Sequence, residues 1–162
     1  MIRPTRLAVP VLVVTAMLLA SAWGDAADAA KIHVVLGGGP FKGTYDVTTD
    51  ACLAGVQKKG SWHATWETDA DQKGKLSAVL VGFDPTPTFG SGRGASVHFG
   101  DPDSQTVYEM LEPTFNVVDR GTTATLTFKG QTRTTSYTDG SQAAGGAAEI
   151  IVECGKIVRA DQ

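Results

Sequence analysis

Ala148-Glu149-Ile150-Ile151-Val152-Glu153-Cys154 is the stretch on which the fold turns. It is short, rich in β-branched side chains that suit a pleated strand, and lies almost at the end of the chain. It carries one of only two cysteines; the other is Cys52. Two cysteines allow one connectivity, so an oxidised chain must join Cys52 to Cys154 and fasten the last strand to the first part of the fold. Closing a loop of about 100 residues stabilises by up to ~4–5 kcal/mol in the chain-entropy model. A redox pair would need Cys-x-x-Cys spacing, which is absent.

Further strands appear on moving outward from this segment. Ser61–Thr68 (SWHATWET) alternates most clearly, with Trp62, Ala64 and Trp66 on one face and His63, Thr65 and Glu67 on the other. Lys75–Phe83 is its partner across a turn at Asp69–Gly74, and Ser96–Gly100 pairs with Gln105–Leu111 across Asp101–Ser104. Lys31–Leu36, Thr44–Thr48, Phe115–Val118 and Thr122–Lys129 add strands, and Asp50–Lys59 holds one helical turn at most. Gly130–Gly146 is polar and glycine-rich and reads as a flexible connection with room for a strand at 132–137, and Gly155–Gln162 reads as a tail. The pattern predicts an all-β domain over 30–162, an antiparallel β-sandwich (Ig-like) or a small barrel of about 7–9 strands, since turns recur every ~8–12 residues. No helical pattern separates the strands as a parallel α/β fold requires.

Residues 1–29 have the layout of a secretory signal peptide: Arg3 and Arg6, an apolar run from Leu7 to Ala20, then small residues to Ala30. The apolar run falls short of the ~20 residues of a spanning helix. No cysteine follows it to carry a lipid, so no membrane anchor is expected after cleavage. The expected location is secreted or periplasmic, an oxidising setting in which two cysteines pair.

Composition excludes several classes of function. The chain carries 14 basic and 17 acidic residues, a formal net charge of −3, with Lys58-Lys59 the one adjacent basic pair, so nucleic acid is not an expected partner. Asp69-Ala70-Asp71-Gln72-Lys73-Gly74 starts like a calcium loop but has Lys73 at its fifth position and Leu80 at its twelfth. His33, His63 and His98 lack ligand spacing, so neither metal nor cofactor is expected. Gly90-Ser91-Gly92-Arg93-Gly94 lacks the Lys-Ser/Thr and helix of a phosphate loop, and no Gly-x-Ser-x-Gly elbow is present. An enzyme would need His63, His98 or a glutamate to meet a nucleophile in a cleft.

Binding is the remaining class. Trp62 and Trp66 share a face on which sugar rings or a partner can stack, or which fills the core. Phe89 and Arg93 in the loop 84–95, and Tyr137 in 130–146, are the other candidate contacts, since loops on a rigid scaffold carry function.

Gly43-Thr44-Tyr45-Asp46-Val47, with Cys52, and Glu149–Cys154 together resemble the frame of small secreted bacterial lipoprotein antigens. The resemblance implies a β-sandwich stapled by one disulfide between early and late strands. It implies no catalytic residues, and without the lipidated cysteine it does not imply anchoring. The expected function is that of an exported, monomeric, non-enzymatic binding or structural module of the cell envelope or extracellular space, its partner a protein or a glycan. A carbohydrate-binding domain using aromatic side chains is the alternative, and a small secreted hydrolase or inhibitor the second.

Overall fold

A computed structural model describes residues 29–68, 74–87, 92–101 and 103–160. The segment expected to be a leader, up to residue 28, the turn expected at 69–73, and Phe89 lie outside them. Ten strands form: β1 (Ala30–Leu36), β2 (Gly43–Thr49), β3 (Cys52–Ala54), β4 (Trp62–Glu67), β5 (Leu76–Phe83), β6 (Arg93–Phe99), β7 (Thr106–Asp119), β8 (Ala124–Ser136), β9 (Gln142–Cys154) and β10 (Ile157–Arg159). All belong to one sheet in the order β10-β3-β4-β5-β6-β7-β8-β9-β1-β2. Every pairing is antiparallel except β10 with β3.

Where the sequence leaves a sandwich or a small barrel open, the hydrogen bonding gives a single curled sheet, a half-barrel. The run β3 to β9 is a meander in chain order, and β1–β2 then adds onto β9. The curl follows from alternation kept on most of the strands: Ile32, Val34, Ala64, Val79, Val81, Val97, Leu126, Phe128, Ile150 and Val152 all turn inward and are buried. Burying one face of ten strands forces the sheet to wrap around that face.

Aromatic rings fill the concave side in two groups. Phe41 stacks on Phe99 at 4.4 Å, with Tyr45 and Tyr108 edge-on to Phe99 at 5.1 and 5.8 Å. Phe115 lies between Phe83 and Phe128, at 4.2 and 4.9 Å. The buried Tyr108 hydroxyl accepts from Phe41 N–H at 2.9 Å and donates to Gly38 C=O at 3.2 Å, which removes the cost of an unpaired buried polar group.

The disulfide Cys52–Cys154 joins β3 to β9, strands far apart in the sheet order, with 5.7 Å between their Cα atoms and both residues buried. It therefore bridges the concave side and holds the curl. Thr49 Oγ1 donates to Thr65 C=O at 2.6 Å, bringing β2 onto β4, which is not its neighbour in the sheet.

Four elements differ from the sequence pattern, each for a physical reason. The segments 105–111 and 115–118 are one strand, β7, because Pro113 sits at a bulge between Leu111 and Thr114, a place where a missing N–H costs the ladder nothing. Gly130–Gly146 is no flexible connection: the strand for which it left room at 132–137 is the end of β8, which runs to Ser136, and β9 opens after a turn at 137–141. Its glycines serve close approach, since Gly146 (φ +80°) lies against the backbone of Gly37 and Gly38, where a Cβ would meet Gly38 N at 3.0 Å. Residues 50–59 contain β3 in place of a helical turn, and the tail contains β10. Arg159 of β10 reaches Asp119 at the end of β7 with two hydrogen bonds, of 2.9 and 2.6 Å.

Replacing both Cys52 and Cys154 by alanine is expected to lower the unfolding free energy by ~2–5 kcal/mol. Urea denaturation checks it; an unchanged midpoint would mean that the sheet holds its curl unaided.

Candidate functional site

The residues singled out from the sequence do not gather into one place. Trp62 is 6% exposed and belongs to the core, with the Arg159 guanidinium 5.5 Å from its ring centroid. Trp66 is half-buried against the same core. Both point to the concave side, so they present no flat outer platform, because the face that stays wet on β4 is the polar one of His63, Thr65 and Glu67. Arg93 is exposed at the start of β6, whereas Tyr137, 58% exposed, follows β8 beside the opposite end of β6. Phe89 lies outside the described residues. Among the described residues no three His, Cys, Asp or Glu side chains gather as a metal ion would require.

A different site forms on the outer face of β4–β7. Registry sets Thr65, Leu80, Ser96 and Glu109 in one row across the four strands, and His63 and Gly82 with Gly94 in the row beside it. These residues, with Gln57, Leu111 and Glu112, line an open trough of about 800 Å³. Two glycines make it. The His63 ring lies flat over Gly82, where a Cβ would sit 2.8 Å from Nδ1, while above Gly94 there is open space. The trough is therefore a side-chain vacancy in an otherwise covered face.

Backbone strain marks its rim. Glu112 has φ +47°, the one non-glycine residue with positive φ among the described residues, held by the bulge beside the buried Pro113. A side chain in the left-handed region costs roughly 1–2 kcal/mol, and such positions concentrate at functional sites. The neighbouring Glu109 carboxylate is engaged by Arg133 at 2.8 Å, whereas Glu112 has no ion-pair partner among the described residues.

Polar chemistry enters from one strand. Ser96 Oγ and His98 Nε2 are 3.0 Å apart, and His98 Nδ1 is 2.8 Å from Gln105 Oε1. An amide oxygen can only accept, so Nδ1 carries the proton, and in the neutral imidazole Nε2 accepts the Ser96 hydroxyl proton. Ser96 and His98 share the outer face because they are two apart on β6; Gln105 is returned beside them by the turn between β6 and β7. The pattern Ser-x-His on a strand was the available signal, whereas the glutamine contact depends on turn geometry.

His63 completes the trough. Its Nε2 is buried with no hydrogen-bond partner among the described residues. Burial pushes its pKa below the ordinary 6.5, with Asp84 pulling weakly the other way. Asp84 is itself held by Lys58 at 2.9 Å, and Lys58 also donates to Thr86 C=O at 2.7 Å, which pins the 55–61 loop at the trough's end. A second depression of about 470 Å³ lies over β9, β1 and β2, where His33 pairs with Asp46 at 2.7 Å; among the described residues no serine or cysteine lines it.

No known protein family, no curated protein and no solved structure matches this chain.

His63 resists protonation in the folded chain and accepts it in the unfolded chain. Stability is therefore full above pH 6.5 and falls as pH drops below it, levelling out under the folded-state pKa. The expected result is a smaller fall in Tm between pH 7.5 and 5 for His63→Gln than for the unaltered protein. Equal slopes would show that His63 titrates normally. Glu112→Gly should raise stability by about 1 kcal/mol, because glycine removes the left-handed penalty; chemical denaturation measures it.

Proposed function

We propose that this is an exported, monomeric binding module of the cell envelope or extracellular space, and that its ligand occupies the outer trough of β4–β7. The trough carries the reading: about 800 Å³ is within the ~300–1,000 Å³ of ligand sites, and its floor at Gly94 is bare. Support for export comes from the leader-like layout of residues 1–29 and from the disulfide, which fits an oxidising compartment. Between the two architectures left open, a small barrel is the better reading, because β2 approaches β4 through Thr49 and Phe41 stacks on Phe99 across the curl.

The lining selects a short, extended peptide segment over a glycan. Among the described residues no phenylalanine, tyrosine or tryptophan lines the trough, so these residues offer no stacking surface of the kind sugar rings favour. Leu80 and the 47% exposed Leu111 supply apolar walls, and Glu112 supplies a carboxylate with no ion-pair partner among the described residues. An apolar side chain fits over Gly94, and a lysine or arginine of the same segment reaches Glu112.

The test is titration of the ¹⁵N-labelled protein with fluorescein-free peptides of mixed Leu and Arg, compared with Gly94→Val. Valine enters open space at a backbone position that any residue adopts, so it fills the trough without a steric conflict. The expected outcome is amide shifts at 63, 80, 94, 96 and 111 and at least tenfold weaker binding to Gly94→Val. Shifts confined to other faces, or unaltered affinity in Gly94→Val, would contradict the reading.

A further inference from the structure

The three-group chain Ser96–His98–Gln105 goes beyond binding. From its geometry we infer that Ser96 is an activated nucleophile and that the trough hydrolyses carboxylic esters with short apolar acyl groups. The inference rests on the trough reading only for where the acyl group lies, over Gly94 between Leu80 and Leu111.

A serine hydroxyl is a weak nucleophile until a base takes its proton as the new bond forms. His98 Nε2, 3.0 Å from Ser96 Oγ, is within the reach that a general base needs. Gln105 Oε1, 2.8 Å from Nδ1, holds the imidazole in the tautomer that leaves Nε2 free to accept. Nucleophile, base and orienting acceptor thus stand in line, which is the arrangement by which such sites are recognised irrespective of chain order. Gln105 differs from a carboxylate in being neutral: it fixes the ring but adds no charge to stabilise the imidazolium. Ser96 and His98 are half-buried, so the hydroxyl faces the trough while its base is partly shielded from water.

The reaction balances with water as the only co-reactant. Ser96 Oγ bonds to the ester carbonyl carbon as its proton passes to His98 Nε2. The carbon–oxygen bond to the alcohol breaks, and the alcohol leaves with the proton from His98. Water then adds to the acyl carbon, giving its proton to His98; the acyl–Oγ bond breaks, the carboxylic acid departs, and Ser96 recovers the proton. Ser96 and His98 are the catalytic residues, and Gln105 is a positioning residue. General-base assistance alone contributes ~10²–10⁴-fold, and that is the size of effect expected here.

The test has two parts on the full oxidised protein. Diisopropyl fluorophosphate is expected to label Ser96, mapped by peptide mass spectrometry, and His98→Gln to slow labelling at least 100-fold. Turnover of p-nitrophenyl butyrate should fall with it. In Gln105→Ala kcat should drop with KM unchanged, and Gln105→Glu, which keeps the acceptor, should restore it. Labelling elsewhere than Ser96, or equal rates in His98→Gln, would overturn the inference, and the map on the unaltered protein decides even where a variant does not fold. Peptide shifts in the trough without Ser96 labelling would sink the nucleophile and leave the binding reading standing. Ser96 labelling without peptide shifts would do the reverse.

Discussion

A single covalent bond decides the shape of this chain. Cys52 and Cys154 stand on β3 and β9, strands separated by five others in the sheet order, so their bond is possible only if the sheet curls. The bond and the burial of one face act in the same direction. Apolar side chains on alternate positions need a common interior, and the disulfide removes unfolded conformations in which the two ends of the sheet are far apart. The ion pair of Arg159 with Asp119 then locks the short β10 onto the far end of β7, and Arg159 also covers Trp62. Three features that are distant in sequence thereby close one end of the fold.

The same closure separates the two faces of the sheet. Among the described residues the concave side receives nearly all the aromatic side chains, which pack against one another and serve stability. Polar side chains are left to the outer side, where Thr65, Ser96 and Glu109 lie in one cross-strand row. A trough arises there because Gly82 makes room for the His63 ring and Gly94 places nothing over the next strand. Ser96, His98 and Gln105 join hands at its edge, and Glu112 accepts an unfavourable backbone conformation on its rim. An unpaired histidine nitrogen, a strained glutamate and an oriented serine within one patch set it apart from an ordinary solvated face.

Much of the architecture was legible in the sequence, and the limits of that legibility have physical causes. β4 and β6 could be read because their inward and outward residues differ sharply in polarity, β9 because it is rich in β-branched side chains, and β5 as the hairpin partner of β4. The cysteine pairing could be read because only one connectivity exists. β7 was split in two because proline usually ends a strand, and the bulge that absorbs Pro113 is a tertiary arrangement. The 130–146 stretch looked flexible because glycine is ambiguous: it permits both freedom and close contact, and here Gly146 is needed for contact with Gly37 and Gly38. β3 and β10 escaped because a three-residue strand is defined by its partner and hardly at all by its own pattern. Trp62 and Trp66 were correctly placed on one face, but polarity of the opposite face decides that theirs is the inner one. The trough was not legible at all, because the adjacency of His63, Gly82 and Gly94 depends on the registers of three strands. Ser96 and His98 were visible as strand residues; their partnership with Gln105 required the turn.

Amide hydrogen exchange before and after reduction of Cys52–Cys154 tests the central claim most directly. If the disulfide holds the two ends of the curled sheet together, reduction will speed exchange first in β3, β10 and the 55–61 loop, while β5 to β8 keep their protection through their own ladders. Unchanged exchange in β3 and β10, or a uniform loss across all ten strands, would contradict it.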